Sequence, residues 1–164
     1  MTGRATEMWG TLLSAPLRTV ASRPTGADMG VAFCRCVLAQ AHGQFGEMNE
    51  GLTVLEKAFA FTARSRSKYQ VPELLRTKGE ILSHMESPGG DAAERWFQKS
   101  LTMACAEGTK STELRAAASL ARLYIDQGRD DEARSLLAPV YAWFTEGFET
   151  GDLVDAKALL DCLR

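Results

Sequence analysis

Two stretches of this 164-residue chain repeat one another position for position. The first reads Leu38-Ala39-x-x-His42-x-x-x-Gly46, followed by Gly51, Leu55 and Ala58. The second reads Leu120-Ala121-x-x-Tyr124-x-x-x-Gly128, followed by Ala133, Leu137 and Val140. From Ala39 and from Ala121 the intervals are the same, 3, 4, 5, 4 and 3 residues. Between them Gly79-x-x-Leu82, then Ala93, Phe97 and Ser100, keeps the spacing within each half and adds two residues at Ser87-Pro88-Gly89-Gly90. Steps of three and four are helical, and a glycine between two such runs closes a turn. The unit is therefore a helical hairpin recurring every 40 to 42 residues. One hairpin cannot bury its apolar face alone, so the copies must stack.

The positions that recur are the ones close packing demands. Small residues on the first helix (Ala39, Gly79, Ala121) oppose small residues on the second (Gly51, Ala93, Ala133), which lets the two backbones approach. Larger side chains at Tyr124, Leu82, Leu55, Phe97 and Leu137 fill the flanking space. The spacing predicts an apolar stripe on the first helix through Val31, Cys34, Val37, Leu38, Ala41 and Phe45, and one on the second through Met48, Leu52, Leu55, Ala58, Phe59 and Thr62. Pro72 suits a first helical turn, where its missing N–H has no intrahelical partner to lose. Asp91 with Glu94 reads as a capping box, Ser111 and Asp130 as N-caps, and Asp131 and Glu132 as favourable charges at a helix start. Pro139 is expected to bend its helix. A last helix is expected over about 152–163. Strand signatures and hairpin dipeptides such as Asn-Gly are almost absent.

With 19 Lys and Arg against 21 Asp and Glu, the chain carries a formal charge of −2. A domain that binds through phosphates normally shows a basic excess, so no nucleic-acid partner is expected. Residues 1–90 hold 10 basic and 8 acidic side chains and residues 91–164 hold 9 and 13, an ordinary asymmetry. No apolar run is long enough to span a bilayer, so no membrane partner is expected. The stretch Met8-Trp9-Gly10-Thr11-Leu12-Leu13 after Arg4 reads as a fragmentary helix rather than a signal peptide, because Glu7, Gly10 and Ser14 interrupt it and Pro16 ends it. The four cysteines have no framework spacing, which points to reduced thiols and a cytoplasmic protein.

This hairpin pattern resembles a tetratricopeptide repeat protein with repeats longer than the usual ~34 residues. The segments Leu75–Leu82, Ser111–Leu123 and Leu136–Phe148 are similar to the carboxy-terminal repeat region of large bacterial signalling proteins. In those proteins a class III adenylate or guanylate cyclase domain, or a winged-helix domain, precedes an ATPase module. Asp152-Leu153-x-x-Ala156-Lys157-Ala158-Leu159-Leu160-Asp161 resembles that family's terminal capping helix. The resemblance spans about 25–164 and implies an all-α, right-handed α-α superhelix. It would comprise three long-period hairpins, about 29–68, 69–108 and 111–147, and a capping helix at 152–164. Residues 1–24 fit it poorly and read as a partial repeat helix or a divergent start. Nothing in the chain corresponds to the catalytic domains, so no enzyme activity and no cofactor are implied. The resemblance implies a non-catalytic protein-interaction module, or the regulatory tail of a cyclase or ATPase encoded apart from its catalytic half.

The candidate chemistry is correspondingly spare. Gly108-Thr109-Lys110-Ser111 lacks the adjacent Gly-Lys and upstream glycine of a phosphate-binding loop. Cys34 and Cys36 lie two apart on a helix and point to different faces, which disfavours a shared metal and fits buried thiols. His42 takes a position filled by an aromatic in another copy and reads as a packed histidine, whereas His84 reads as a surface residue. Trp96, Phe97, Trp143, Phe144 and Phe148 read mainly as packing, and Arg64, Arg66 and Lys68 as a solvated turn. The architecture implied by the resemblance lines a concave groove with the first helix of each hairpin. Transferring the spacing gives Phe33, Cys36 and Gln40 from the first copy, Glu73, Arg76 and Glu80 from the second, and Arg115, Ala118 and Arg122 from the third. Arg115 and Arg122, two turns apart on one face, could clamp an acidic segment, or could belong to a solvated face balanced by Glu80 and Asp126. A protein or peptide partner is expected, and the poorly covered first hairpin leaves room for homo-oligomerisation.

Overall fold

The three- and four-residue spacing is realised as helices throughout the described residues. The structure, a computed structural model, describes residues 27–64, 69–85 and 91–163. In order these form α1 (Ala27–Gln44), α2 (Met48–Arg64), α3 (Val71–Met85), α4 (Asp91–Glu107), α5 (Lys110–Asp126), α6 (Asp130–Ala142) and α7 (Gly151–Cys162). No strand occurs among the described residues. The readings placed on residues 1–24, on Arg66 and Lys68, and on Ser87-Pro88-Gly89-Gly90 lie outside them.

One turn chemistry is used three times. Gly46, Gly108 and Gly128 have φ of 80°, 67° and 73°, the left-handed region that only glycine enters without strain. After each of them the next N–H donates back to the carbonyl five residues upstream: Glu47 to His42, Thr109 to Ala104 and Arg129 to Tyr124, at 2.9, 3.0 and 2.8 Å. This pattern satisfies carbonyls that a helix end would otherwise leave unpaired.

The expected N-caps are different from those observed. Helix α5 begins at Lys110 with Thr109 before it, and α6 begins at Asp130 with Arg129 before it. Neither preceding residue makes a side-chain cap bond. Asp91 is the first residue of α4, and Glu94 does not close a capping box. Its carboxylate accepts from Tyr124 at 3.0 Å, from Gln98 at 2.9 Å and from Arg129 at 2.9 Å. A charged donor on the next hairpin outcompetes a backbone N–H of its own helix. Arg129 also grips Glu132 at 2.7 Å, which holds that carboxyl below its ordinary range, and lies 3.9 Å from the centre of the Tyr124 ring. Helix α6 runs through the exposed Pro139 to Ala142.

Each helix packs on its hairpin partner, giving the pairs α1–α2, α3–α4 and α5–α6. Consecutive hairpins meet through α2–α3 and α4–α5, and α7 closes on α5 and α6. The first helices also touch in series, α1 to α3, α3 to α5 and α5 to α7, whereas the backbones of α2, α4 and α6 stay apart from one another. A row in contact on one side and separated on the other is curved, and the contacting row is its inner face.

The small residues sit where close approach requires them. Ala39, Ala93, Ala121 and Ala133 are fully buried. A Cβ at Gly51 would lie 3.1 Å from the Ala39 carbonyl oxygen. At Gly79 a Cβ would lie 2.6 Å from the Phe97 ring, so the large residue of the second copy occupies the space the glycine leaves. On α1 the expected stripe is rotated. The helix buries Ala32, Cys36 and Ala39 against α2 and α3, while Phe33, Cys34, Val37 and Phe45 are exposed. The small side chains take the crowded side because two helices must approach there.

Among the described residues, the buried apolar side chains form two clusters rather than one. The smaller joins Cys36, Ala39, Leu55, Ala58, Leu74 and Ile81 across α1, α2 and α3. The larger runs from Ala93 and Phe97 through α5 and α6 to Leu153, Ala156 and Leu163. The aromatics mostly pack, as expected. Phe97 is in the core, and half-buried Trp96 has Lys78 and Lys99 at 4.3 and 4.6 Å from its ring and Phe59 at 6.5 Å. Trp143 stacks edge-on to Phe144 and Phe148 lies near Tyr141, with both Trp143 and Phe148 still about half exposed.

Candidate functional site

The inner face is organised around a buried guanidinium. Arg76, in the middle of α3, is 8% exposed. It donates to Glu73 at 3.0 and 2.6 Å, to Glu80, and to Ser119 of α5 at 3.3 Å. Glu73 and Glu80 lie one turn to either side of it on the same helix, so helical geometry alone brings both carboxylates within reach. The small Ser119 opposite leaves room for the guanidinium beneath the surface. Burial pushes the Glu73 carboxyl upward, but Arg76 and Arg115 together outweigh that and hold it below the ordinary carboxylate value. Burial also opposes the charge on Arg76, and Glu73 and Glu80 more than compensate, so its proton is held more tightly than in water.

Arg115, one turn before Ser119 on α5, extends the chain of ion pairs to the last helix. It reaches Glu73 at 3.3 Å and Asp152 of α7 at 3.1 Å. Arg122 lies 3.5 Å from Asp155, also on α7. The two arginines expected to clamp an acidic segment therefore stand against carboxylates of this same chain.

Beside the network is a cleft of about 430 Å³ spanning α1, α3 and α5. Its floor is apolar, formed by Ile81, Phe97 and Leu123, and its rim is polar. Gln40, Arg76, Glu80 and Arg122, four of the expected groove residues, line it together. Glu73 and Arg115 lie in the ion-pair chain outside the cleft, and Phe33 stands exposed on α1 away from it. Cys36 and Ala118, expected to face the groove, are buried. Sequence reasoning missed Gln44, Ser83 and Ser119 of the lining, and the α7 carboxylates. The Asp152-x-x-Asp155 spacing was a visible signal for the last, because it places two carboxylates on one helical face.

Cys36 illustrates the difference between the two neighbouring thiols. Its Sγ lies 3.0 Å from Thr77 Oγ1, whose own proton goes to the Glu73 carbonyl at 3.0 Å. Burial pushes the Cys36 thiol up to about 11. Cys34, Cys105 and Cys162 are exposed. Iodoacetamide at pH 8 is therefore expected to leave Cys36 unmodified in the folded chain and to label it only after denaturation, as read by peptide mass spectrometry. Labelling of Cys36 at the rate of Cys162 would contradict its burial. His42 is partly buried and its Nδ1 lies 2.6 Å from Glu47 at the hairpin turn, while His84 is exposed at the cleft rim.

Among the described residues, no group of three His, Cys, Asp or Glu side chains is placed to hold a metal. No helix among them is long and apolar enough to cross a membrane. No curated protein and no solved structure matches the chain. Residues 114–142, which cover most of α5 and all of α6, match the family described as Tetratricopeptide repeat. Together, that match and the all-helical stack of hairpins support a tetratricopeptide repeat protein.

Proposed function

We propose that this chain is a non-catalytic interaction module that holds a segment of a protein partner along its inner face. The observation carrying this reading is the cleft across α1, α3 and α5, where an apolar floor is bounded by side chains from three successive first helices. Tetratricopeptide repeats generally act as scaffolds for protein partners, which supports the same conclusion. The resemblance of Leu75–Leu82, Ser111–Leu123 and Leu136–Phe148 to bacterial signalling proteins supports a setting in bacterial signalling or transcriptional regulation. The units we assign are residues 29–68, 69–108 and 111–147, with 152–164 as the cap.

Filling the cleft with uncharged bulk tests the reading without touching the ion pairs. Gln44→Trp is exposed and Ser83→Trp is partly buried, and both line the cleft. Proteins captured from a bacterial lysate by the parent chain are expected to fall at least fivefold with the double variant, at unchanged helical content by circular dichroism. Undiminished capture by the folded variant would remove the cleft from the function.

A further inference from the structure

Resting on that reading, we propose that the segment accepted by the cleft is basic, presenting lysine or arginine beside apolar side chains. The charge balance of the inner face carries this. Among the described residues, the arginines of the cleft and of the ion-pair chain beside it are Arg76, Arg115 and Arg122, and each is already engaged within the fold. Arg76 is enclosed by two glutamates and is nearly inaccessible. Arg115 is shared between Glu73 and Asp152, and Arg122 faces Asp155. Those four pairing carboxylates already outnumber the three guanidiniums when Glu80 is counted with Glu73, Asp152 and Asp155.

Asp126 adds a fifth. It is exposed on the cleft rim, and no salt bridge to it occurs among the described residues. Among the described residues, Glu80 and Asp126 balance Arg76 and Arg122 in the cleft lining, and the ion-pair chain along its edge adds Glu73, Asp152 and Asp155 against Arg115, so that cleft and edge together hold five carboxylates against three arginines. The backbone adds to this in the same direction. The cleft runs from mid-helix, at Arg76 and Thr77 of α3 and Ser119 of α5, to the last turns of its three helices, where Gln44 of α1, His84 of α3 and Asp126 of α5 line it. The carboxyl ends of helices carry partial negative charge, and here three of them converge on one opening. An acidic segment would have to displace Asp155 from Arg122 while facing Asp126 and three unfavourable dipole ends. A basic segment meets unneutralised carboxylate at once, and its apolar neighbours cover Ile81 and Leu123. The cleft volume falls within the range of about 300–1,000 Å³ typical of ligand sites.

The test uses fluorescence anisotropy on the full chain, with two labelled peptides identical except that one carries lysine and the other glutamate around a central leucine. The lysine peptide is expected to bind at least tenfold more tightly, with affinity falling as salt rises. Asp126→Lys is expected to weaken it at least fivefold, and Arg122→Glu to strengthen it at least threefold. Both positions are exposed, so the variants are expected to remain folded. The preference of the parent chain is decisive, because an acid-binding groove would favour the glutamate peptide before any change and lose that affinity on Arg122→Glu. Preference for the glutamate peptide, or shifts below twofold in both variants, would overturn the charge assignment. If neither peptide binds while Gln44→Trp with Ser83→Trp still abolishes lysate capture, the basic specificity fails and the cleft reading stands. If that double variant captures normally, the cleft reading itself fails.

Discussion

Gly79→Ala is expected to destabilise the chain by about 1–2 kcal/mol, although alanine is the better helix former. Alanine in place of a mid-helix glycine gains roughly 0.5–1 kcal/mol through reduced backbone entropy. Forcing a methyl into a filled core costs roughly 1–3 kcal/mol. At Gly79 the second effect wins, because the new Cβ would lie 2.6 and 2.7 Å from two carbons of the Phe97 ring. That ring is 2% exposed and packed in the larger cluster, so making room for the methyl means shifting it toward the cleft floor at the expense of its core contacts. Gly79→Val is expected to exceed 3 kcal/mol, since its branched side chain adds bulk at the same point. Thermal and urea denaturation of the purified variants check both values. A coupling measurement makes the mechanism specific: in a Phe97→Leu background the cost of Gly79→Ala should shrink, because the smaller side chain vacates the contested volume. An equal cost in both backgrounds would show that the ring is not the obstacle.

The second large effect is at Arg76. Arg76→Leu is expected to lower stability by about 3 kcal/mol, because removing one partner of a buried ion pair strands the other charge. Here two carboxylates lose their guanidinium partner, Glu80 and Glu73, whose side chains are only 33% and 17% exposed, and Glu73 keeps only Arg115 at 3.3 Å. The same network predicts an acid dependence. The folded chain holds the Glu73 carboxyl below its ordinary value of 4.5, so its contribution is complete above that value and is lost as the pH falls through the lower, folded one. Stability of the parent chain is therefore expected to decline on acidification below about pH 4.5. In Arg76→Leu the Glu73 component of that decline should vanish or reverse, since burial then acts on the carboxyl with less opposition. Urea midpoints measured from neutral to acidic pH provide the comparison, and parallel curves for the two proteins would exclude the network as their source.

The hairpins were legible in the sequence because their requirements are local and steric. A left-handed residue at each of Gly46 and Gly128, and two facing small residues, leave a spacing that any stacked copy must repeat. Capping was less legible, because Glu94 had two competing uses. The helix-start bond was visible from adjacent residues, while Tyr124 and Arg129 come from 30 and 35 positions away. The face of α1 was misjudged for a related reason. Counting large apolar residues favours Val37 and Phe45, whereas the approach of two helices selects Ala32, Cys36 and Ala39. In the candidate site, spacing placed Gln40, Arg76, Glu80 and Arg122 along one cleft. It gave no sign that Arg76 lies beneath the surface, a consequence of having serine at position 119 rather than a larger residue. The pairing of Arg115 and Arg122 with α7 depends on how the last helix crosses α5, which no local pattern encodes.

The division of the apolar interior also bears on how the cleft is kept ready. Gln40 and Gln44 belong to the hairpin of the smaller cluster, while Phe97, Ser119, Leu123 and Asp126 belong to helices of the larger one. The two meet at α3, where Leu74 and Ile81 join the smaller cluster and Leu82 packs against the larger. Where nearest neighbours supply the stability of a stack, a hairpin with a cluster of its own can open at a fraction of the free energy needed to unfold the whole. Opening here would remove one wall of the cleft. A segment lying across α1 and α5 would consequently act as a rivet between two separately cohering bodies, and would raise the stability of the first hairpin by as much as its own binding depends on that hairpin staying in place.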